Sequence, residues 1–278
     1  MSRIHEPKKT LSVSSASRPS RAGLAERLLL ALSRDSDEPD YPTTTAQYTV
    51  ANALNFPRKS IPNFDQRVRE RTILDYGCGP GWQAVAMAVN CGASQVVGID
   101  INQKWLQAGR SLAEREGCQD AVSFVSEVPP ELLGTFDVAI SISSFEHFGD
   151  PEANLREMRE AVRPGGKVIV SFAEPWFSHS GSHMDFFTRV PWVNILFSEK
   201  TVMNARSHYR SDGATRYEEV EGGLNRMTLA KFGRLMKTSG MVIEELRYFS
   251  TKGLPLVQKI PLVRELLVSS ASCVLRKA

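Results

Sequence analysis

The chain has 278 residues, 42% apolar and 23% charged, with a formal net charge of +3. That length makes one elaborated domain or two small ones, able to bury a large core without staples. Fifteen prolines and nineteen glycines are too few for a fibrous or wholly disordered chain. Four cysteines with no CxxC pair argue against a secreted disulfide scaffold and for reduced thiols in a cytosol. No apolar run approaches the ~20 residues that cross a bilayer.

The charge is uneven. Residues 1–34 carry +5, which leaves the rest of the chain at −2. A near-neutral body offers no clear groove for nucleic acid. Residues 1–21, rich in Ser, Lys and Arg, are expected to form a disordered basic tail. An organelle transit peptide is the alternative, against which Glu6 and Glu26 interrupt the basic run. Residues 22–70 are expected to form a helical cap and linker. Within them, 22–33 places Leu24, Leu28 and Leu32 on one helical face, as a cap helix or a lipid-surface helix would. Residues 35–64, with many Asp, Pro and Thr, look irregular.

From 71 the pattern becomes an alternation. Apolar runs at 71–76, 95–100, 121–125, 136–142 and 166–172 read as strands. Residues 81–90, 102–117 and 150–162 read as helices. Gly117 closes the second, while Asp150 caps the third with Pro151 at its first helical position. Nearly continuous apolar strands alternating with helices predict an α/β fold, a parallel sheet covered on both faces, over 71–172. Residues 173–226 are long, aromatic and irregular, and are expected to be a substrate-facing insert. Residues 227–278 are expected to complete the core. They hold a helix over 228–240 capped by Thr228, a strand over 241–249, helical turns over 255–268 and a closing strand over 270–277.

The chemistry centres on Asp75-Tyr76-Gly77-Cys78-Gly79-Pro80-Gly81. A glycine turn between the first strand and first helix lets a ligand approach the backbone closely. Ligands of open α/β sheets sit at the carboxyl ends of the strands. Asp100 ends the second strand, where a carboxylate can take both hydroxyls of a ribose. A dinucleotide site would want G-x-G-x-x-G, whereas these glycines fall as G-x-G-x-G. A carboxylate at Asp75 suits a cationic ligand, with an α-amino group and a sulfonium, better than a polyphosphate.

The run D-Y-G-C-G-P-G therefore resembles motif I of the class I S-adenosylmethionine (SAM) dependent methyltransferases. Gly98-Ile99-Asp100-Ile101 resembles that family's ribose motif on the second strand. Phe136-Asp137-Val138-Ala139-Ile140-Ser141 resembles its fourth strand, followed by Phe145-Glu146-His147. Arg163-Pro164-Gly165-Gly166-Lys167 resembles the turn into its fifth strand. The resemblance covers about 70–172, with 228–277 as the family's final helix and strand pair. It implies a Rossmann-like fold, a seven-stranded mixed sheet with the last strand antiparallel and helices on both faces. It also implies SAM as cofactor, held by Asp75, Gly77, Cys78, Gly79, Gly81, Asp100, Ile101, Glu127 and Ser143. Glu127 stands where the family usually has an Asp near the adenine. Cys78 reads as a small filler, since no base is identifiable beside it.

His183 and His147 are the candidate general bases, His183 because the loop 178–183 follows the fifth strand and can overhang the sulfonium. His179, His183 and Asp185 have metal-ligand spacing, but Gly181 and the serines around it argue against the helix such spacing needs, so no metal is expected. His179, His208, Glu174 and Tyr209 are weaker candidates. The aromatics of 176–197 and the apolar stretch 254–268 read mainly as packing. The expected function is methyl transfer to an O, N or C atom of a small or medium-sized organic acceptor, in the cytoplasm and without a membrane span. Three rivals stand beside it: RNA or protein as acceptor, with the basic tail as a tether; a non-catalytic SAM-fold regulatory protein; and an NAD(P)-dependent oxidoreductase.

Overall fold

The computed structural model describes residues 23–33, 49–250 and 260–278. The expected tail, its transit-peptide alternative and residues 35–48 of the Asp/Pro/Thr-rich stretch lie outside the described residues. The described elements begin with helices α1 (Leu24–Ala31), α2 (Asn55–Ser60) and α3 (Phe64–Val68). The core follows as β1 (Thr72–Tyr76), α4 (Trp82–Cys91), β2 (Gln95–Ile99), α5 (Gln103–Arg115), β3 (Val122–Val125), β4 (Phe136–Ile142), α6 (Pro151–Ala161) and β5 (Val162–Ala173). Helices α7 (Val193–Leu196) and α8 (Glu199–Arg206) precede the closing set α9 (Leu229–Thr238), β6 (Val242–Ser250), α10 (Pro261–Leu267) and β7 (Val268–Arg276).

The seven strands form one sheet in the order β3-β2-β1-β4-β5-β7-β6. Strands β1 to β5 pair in parallel, and β7 lies antiparallel to both β5 and β6. The order in which strands are added reverses between β1 and β4, the switch point at which open α/β sheets bind ligands. Each face has its own core. Ile73, Val96 and Ile140 point into one, with Val85 and Met87 of α4. Leu74, Val97 and Ala139 point into the other, with Leu155 and Met158 of α6 and Phe232 of α9. That alternation along single strands is the two-sided burial a parallel sheet requires.

Local signals set the helix ends. The Asn102 side chain accepts from the amides of Lys104 and Trp105, that of Asp150 from Ala153, and that of Thr228 from Lys231. These bonds satisfy first-turn amides that have no partner within the helix.

Three expectations need correction. The stretch 35–64, read as irregular, holds α2 and the first residue of α3; Leu54 and Ile61 at the ends of α2, with Phe64 and Val68 of α3, join the first core. In α1 the residue that seats the helix is Leu29, fully buried among Met184, Phe187, Val202 and Met203, while Leu24, Leu28 and Leu32 face outward. The 173–226 insert is not all loop: α8 is capped by Ser198, which accepts from the Thr201 amide, and it packs against α1. In the third core cluster the insert supplies Phe187, Val193, Val202 and Tyr217, so most of its large apolar side chains are structural, as expected.

Candidate active site

The glycine turn leaves β1 with Gly77, Gly79 and Gly81 all in the left-handed region, at φ 76°, 53° and 81°. The amides of Gly77 and Cys78 donate to the Ile99 carbonyl, which ties the turn to the end of β2. Asp100 finishes that tie. One of its carboxylate oxygens accepts from the Gly79 amide at 2.9 Å and the other from the Asn102 amide at 2.8 Å. Its carboxylate is thereby fixed, with lone pairs left on both oxygens for a further ligand. Burial raises its pKa, and those backbone amides partly offset the rise.

Asp75 lies at the end of β1, only 1% exposed, and its Oδ2 has no hydrogen-bond partner. Burial, and next to it the Asp100 charge, push its pKa up to about 7. A buried carboxyl without a cation is costly, and a cationic group placed here would relieve it. A Cβ at Gly79 would meet nothing closer than a Trp105 ring carbon at 3.9 Å, so that point of the turn faces open space. Ile101, immediately after Asp100, is 92% exposed, an apolar surface beside the fixed carboxylate. Around an open backbone turn, an unpartnered acid, a fixed carboxylate and an apolar platform fit the α-amino and sulfonium charges, the ribose and the adenine of SAM, in that order.

The remaining cofactor candidates are placed as follows. Cys78 is buried, its sulfur lies against Gly98, and burial raises its pKa well above the ordinary thiol, which fits a filler. Glu127 is exposed beyond β3. Ser143 is exposed at φ 53°, with its amide donating to the Ser171 carbonyl. Its neighbour Ser144 touches the glycine turn, its hydroxyl donating to the Gly77 carbonyl at 2.8 Å.

From Ser144 the segment after β4 leads to the two histidines. Phe148 packs edge-on against Tyr76, with ring centroids 5.6 Å apart. His147 Nδ1 lies 2.7 Å from the Gly223 carbonyl, so Nδ1 carries the proton and Nε2 keeps its lone pair. The His147 and His183 rings meet edge to face at 5.4 Å. His183 Nε2 has no hydrogen-bond partner and stands 3.5 Å from Glu174 Oε2. Burial, and secondarily His147, push the His183 pKa down to about 3, and burial lowers that of His147. Both rings are therefore neutral at pH 7, as a general base must be. The depressed pKa makes His183 a weak proton acceptor unless an ionised Glu174 beside it stabilises the imidazolium. His179 is exposed and His208 lies at the surface, 3.9 Å from Glu26. Tyr209 stacks on Phe187.

Three residues of this neighbourhood lack a clear sequence signal of their own. Glu146 is 4% exposed with Oε2 unpartnered, and burial pushes its pKa up to about 8. Asn225 ties down the Phe145–Phe148 turn, its side-chain amide donating to the carbonyls of both residues. Arg226 pairs with Glu199 and Glu218 and lies over the rings of Trp176 and Tyr217.

Comparison with known proteins places this arrangement. Residues 73–166 match the family described as Methyltransferase domain. Among curated proteins, the chain is 32% identical over 106 residues to a tRNA U34 carboxymethyltransferase of Cellvibrio japonicus, covering 37% of this chain and 33% of the relative. It is 33% identical over 105 residues to a ubiquinone biosynthesis O-methyltransferase of Acinetobacter baumannii, covering 36% and 43%. The chain thus spans well under half the length of these relatives. A solved SAM-dependent methyltransferase from Mesorhizobium loti shares the fold, with a TM-score of 0.52 at 19% identity over 82% of this chain and 100% of that one. Residues 73–166 thus carry a methyltransferase domain, set in a chain with the fold of a solved SAM-dependent methyltransferase.

Proposed function

We propose that this chain transfers the methyl group of SAM to an O, N or C atom of a small or medium-sized organic acceptor. The observation that carries the reading is the pairing of the unpartnered, buried Asp75 with the backbone-fixed Asp100 across an open glycine turn. When bound, SAM supplies an electrophilic methyl group on a sulfonium. The chain's own part is to bind, orient and exclude water. Asp100 and the Gly77–Gly81 turn hold position, Asp75 offers negative charge, and Ile101 covers an apolar face. On the acceptor side, neutral His183 or His147 takes the proton of an oxygen nucleophile. The insert 173–226, which leaves β5 at the same sheet edge, closes over the site and selects the acceptor.

RNA as acceptor is the second reading, carried by the +5 charge of residues 1–34. It predicts salt-dependent RNA binding that disappears when those residues are deleted. The four cysteines are all free thiols, which supports the cytoplasm as the compartment.

The test is calorimetry with SAM and S-adenosylhomocysteine. Asp100→Ala removes a charged acceptor and unties Gly79, which is expected to cost about 1.5–3 kcal/mol, roughly ten- to hundredfold in affinity. Wild-type affinity in Asp100→Ala rejects the role of this carboxylate, and preferential binding of NADH rejects the cofactor.

A further inference from the structure

We propose that the small cavity enclosed by Glu146, Glu174, His183 and Arg226 is the acceptor subsite for one hydrogen-bond-donating group, a hydroxyl or an amine, and that it turns away carboxylates and phosphates. The proposal rests on the methyltransferase reading and names the chemistry of its acceptor. The cavity measures about 10 Å³, room for a single water-sized group.

Its lining holds two unmet ring and carboxyl atoms beside one unmet donor, Arg226 Nε, while Glu174 is already bonded to the Ser180 side chain, so a group that can both donate and accept fits it best. Glu146 is almost wholly buried and its Oε2 has no partner; His183 Nε2 has none either. Glu174 Oε2 lies 3.5 Å from that nitrogen, too far for a sound hydrogen bond but close enough for both to face one intervening donor. The remaining lining charge, Arg226, is already shared between Glu199 and Glu218, though its Nε is unpartnered. Asp185 adds a further negative charge that acts on Glu174. An anion entering here meets Glu146, Glu174 and Asp185 against one guanidinium that already balances Glu199 and Glu218, with Arg226 Nε–H as its one unmet cationic donor. A hydroxyl or amine meets waiting lone pairs.

The backbone points the same way. Glu174, His183 and Arg226 sit at φ 54°, 56° and 55°. They are three of the seven non-glycine residues in the left-handed region among the described residues, and they line one cavity. Residues other than glycine, Asn, Asp and His rarely adopt that region, as Glu174 and Arg226 do here, and such strain gathers where geometry serves a ligand. The elevated pKa values of Glu146 and Glu174 let each carboxyl face a neutral hydroxyl near pH 7 or ionise against an ammonium.

The experiment uses the full chain loaded with S-adenosylhomocysteine, whose binding by calorimetry checks the underlying reading separately. Saturation-transfer NMR then compares three probes of one size: benzyl alcohol, benzylamine and benzoate. Transfer to the alcohol, the amine or both, with none to benzoate, is expected, and the two positive arms tell a hydroxyl site from an amine site. The bound probe should also move the ¹⁵N resonances of His183 in the unmutated chain. Glu146→Gln and Glu174→Gln, each unfolding cooperatively and binding S-adenosylhomocysteine normally, should weaken the preferred probe by about fivefold or more. Equal binding of benzoate, no binding of any probe, or unchanged binding in both variants overturns the proposal and leaves the cavity a place for one buried water. If the wild type fails to bind S-adenosylhomocysteine, the methyltransferase reading falls and takes the subsite with it.

Discussion

Gly79 shows how one residue can be demanded twice. Its φ of 53° strains any L side chain, and the space beyond it is open rather than packed. The strain is a stability cost, of order 1–3 kcal/mol; the open space is where a ligand meets the backbone. Gly79→Val should therefore fold, at a lower melting temperature, and lose SAM binding. Calorimetry beside thermal melts checks this, and retained affinity would show that the turn is no cradle. The two histidines separate in the same way. His183→Ala should keep SAM affinity while turnover, measured once an acceptor is found, falls by ~10²–10⁴-fold if it is the base. His147 is tied to Gly223, so His147→Ala should lower the melting temperature as well. Full activity in His183→Ala would move the base to His147, or leave none for a nitrogen that is already neutral.

At the scale of elements, the segment leaving β5 is folded back on itself. The Trp176 amide donates to Met227, Ser178 to Pro175 and Gly181 to Ser178. A Cβ on Gly181 would lie 2.3 Å from the Pro175 carbonyl oxygen and 2.5 Å from that of Trp176. Both neighbours are backbone and cannot rotate away. Gly181→Ala should thus force the 175–183 turn open and displace His183 from Glu174. The expected result is near-normal SAM binding with a lowered melting temperature and an altered His183 NMR signal. A variant indistinguishable from wild type in both would show that the turn has slack. The same segment explains why 173–226 read as irregular. Its turns are closed by contacts to residues 223–227 and to β7 as much as by neighbours in sequence, as in the Glu174 amide donating to Ser269.

For the whole molecule, buried acids set the pH dependence. Asp75, Glu174 and Glu146 have folded pKa values raised to about 7, 7 and 8. Above pH 4.5 the unfolded chain releases these protons while the folded chain keeps them, so each acid lowers stability as pH rises to its folded pKa. His147 and His183, whose folded pKa values are depressed, act oppositely, but only below about 6.5. Between pH 6.5 and 8 the acids act alone. The melting temperature of the ligand-free protein should fall across that window, and Glu146→Gln should flatten the fall. Saturating SAM should reduce it too, because positive charge near Asp75 favours its ionised form. A melting temperature that rises from pH 6.5 to 8 would contradict this account.

What could be read along the chain was what neighbours in sequence decide. Alternating apolar runs and helices, the caps at Asp150 and Thr228, and the glycine turn between Asp75 and Gly81 all act within a few residues, and each stands where expected. Asp100 was legible for the same reason, as the last residue of an apolar strand. Burial of a particular helix face was not, because it depends on the partner: Leu29, not the Leu24–Leu28–Leu32 stripe, found a core to enter. Glu146 was legible only as part of the Phe145-Glu146-His147 segment, and its burial was not, since a glutamate in a loop ordinarily faces water. Only the tertiary structure set it beside Glu174, His183 and Arg226. Those four stand on the turns after β4 and β5 and before α9, and the parallel pairing of β4 with β5 brings the first two turns to one end of the sheet. Their unmatched acceptors and left-handed backbones are properties of that meeting, and no single stretch of sequence encodes them.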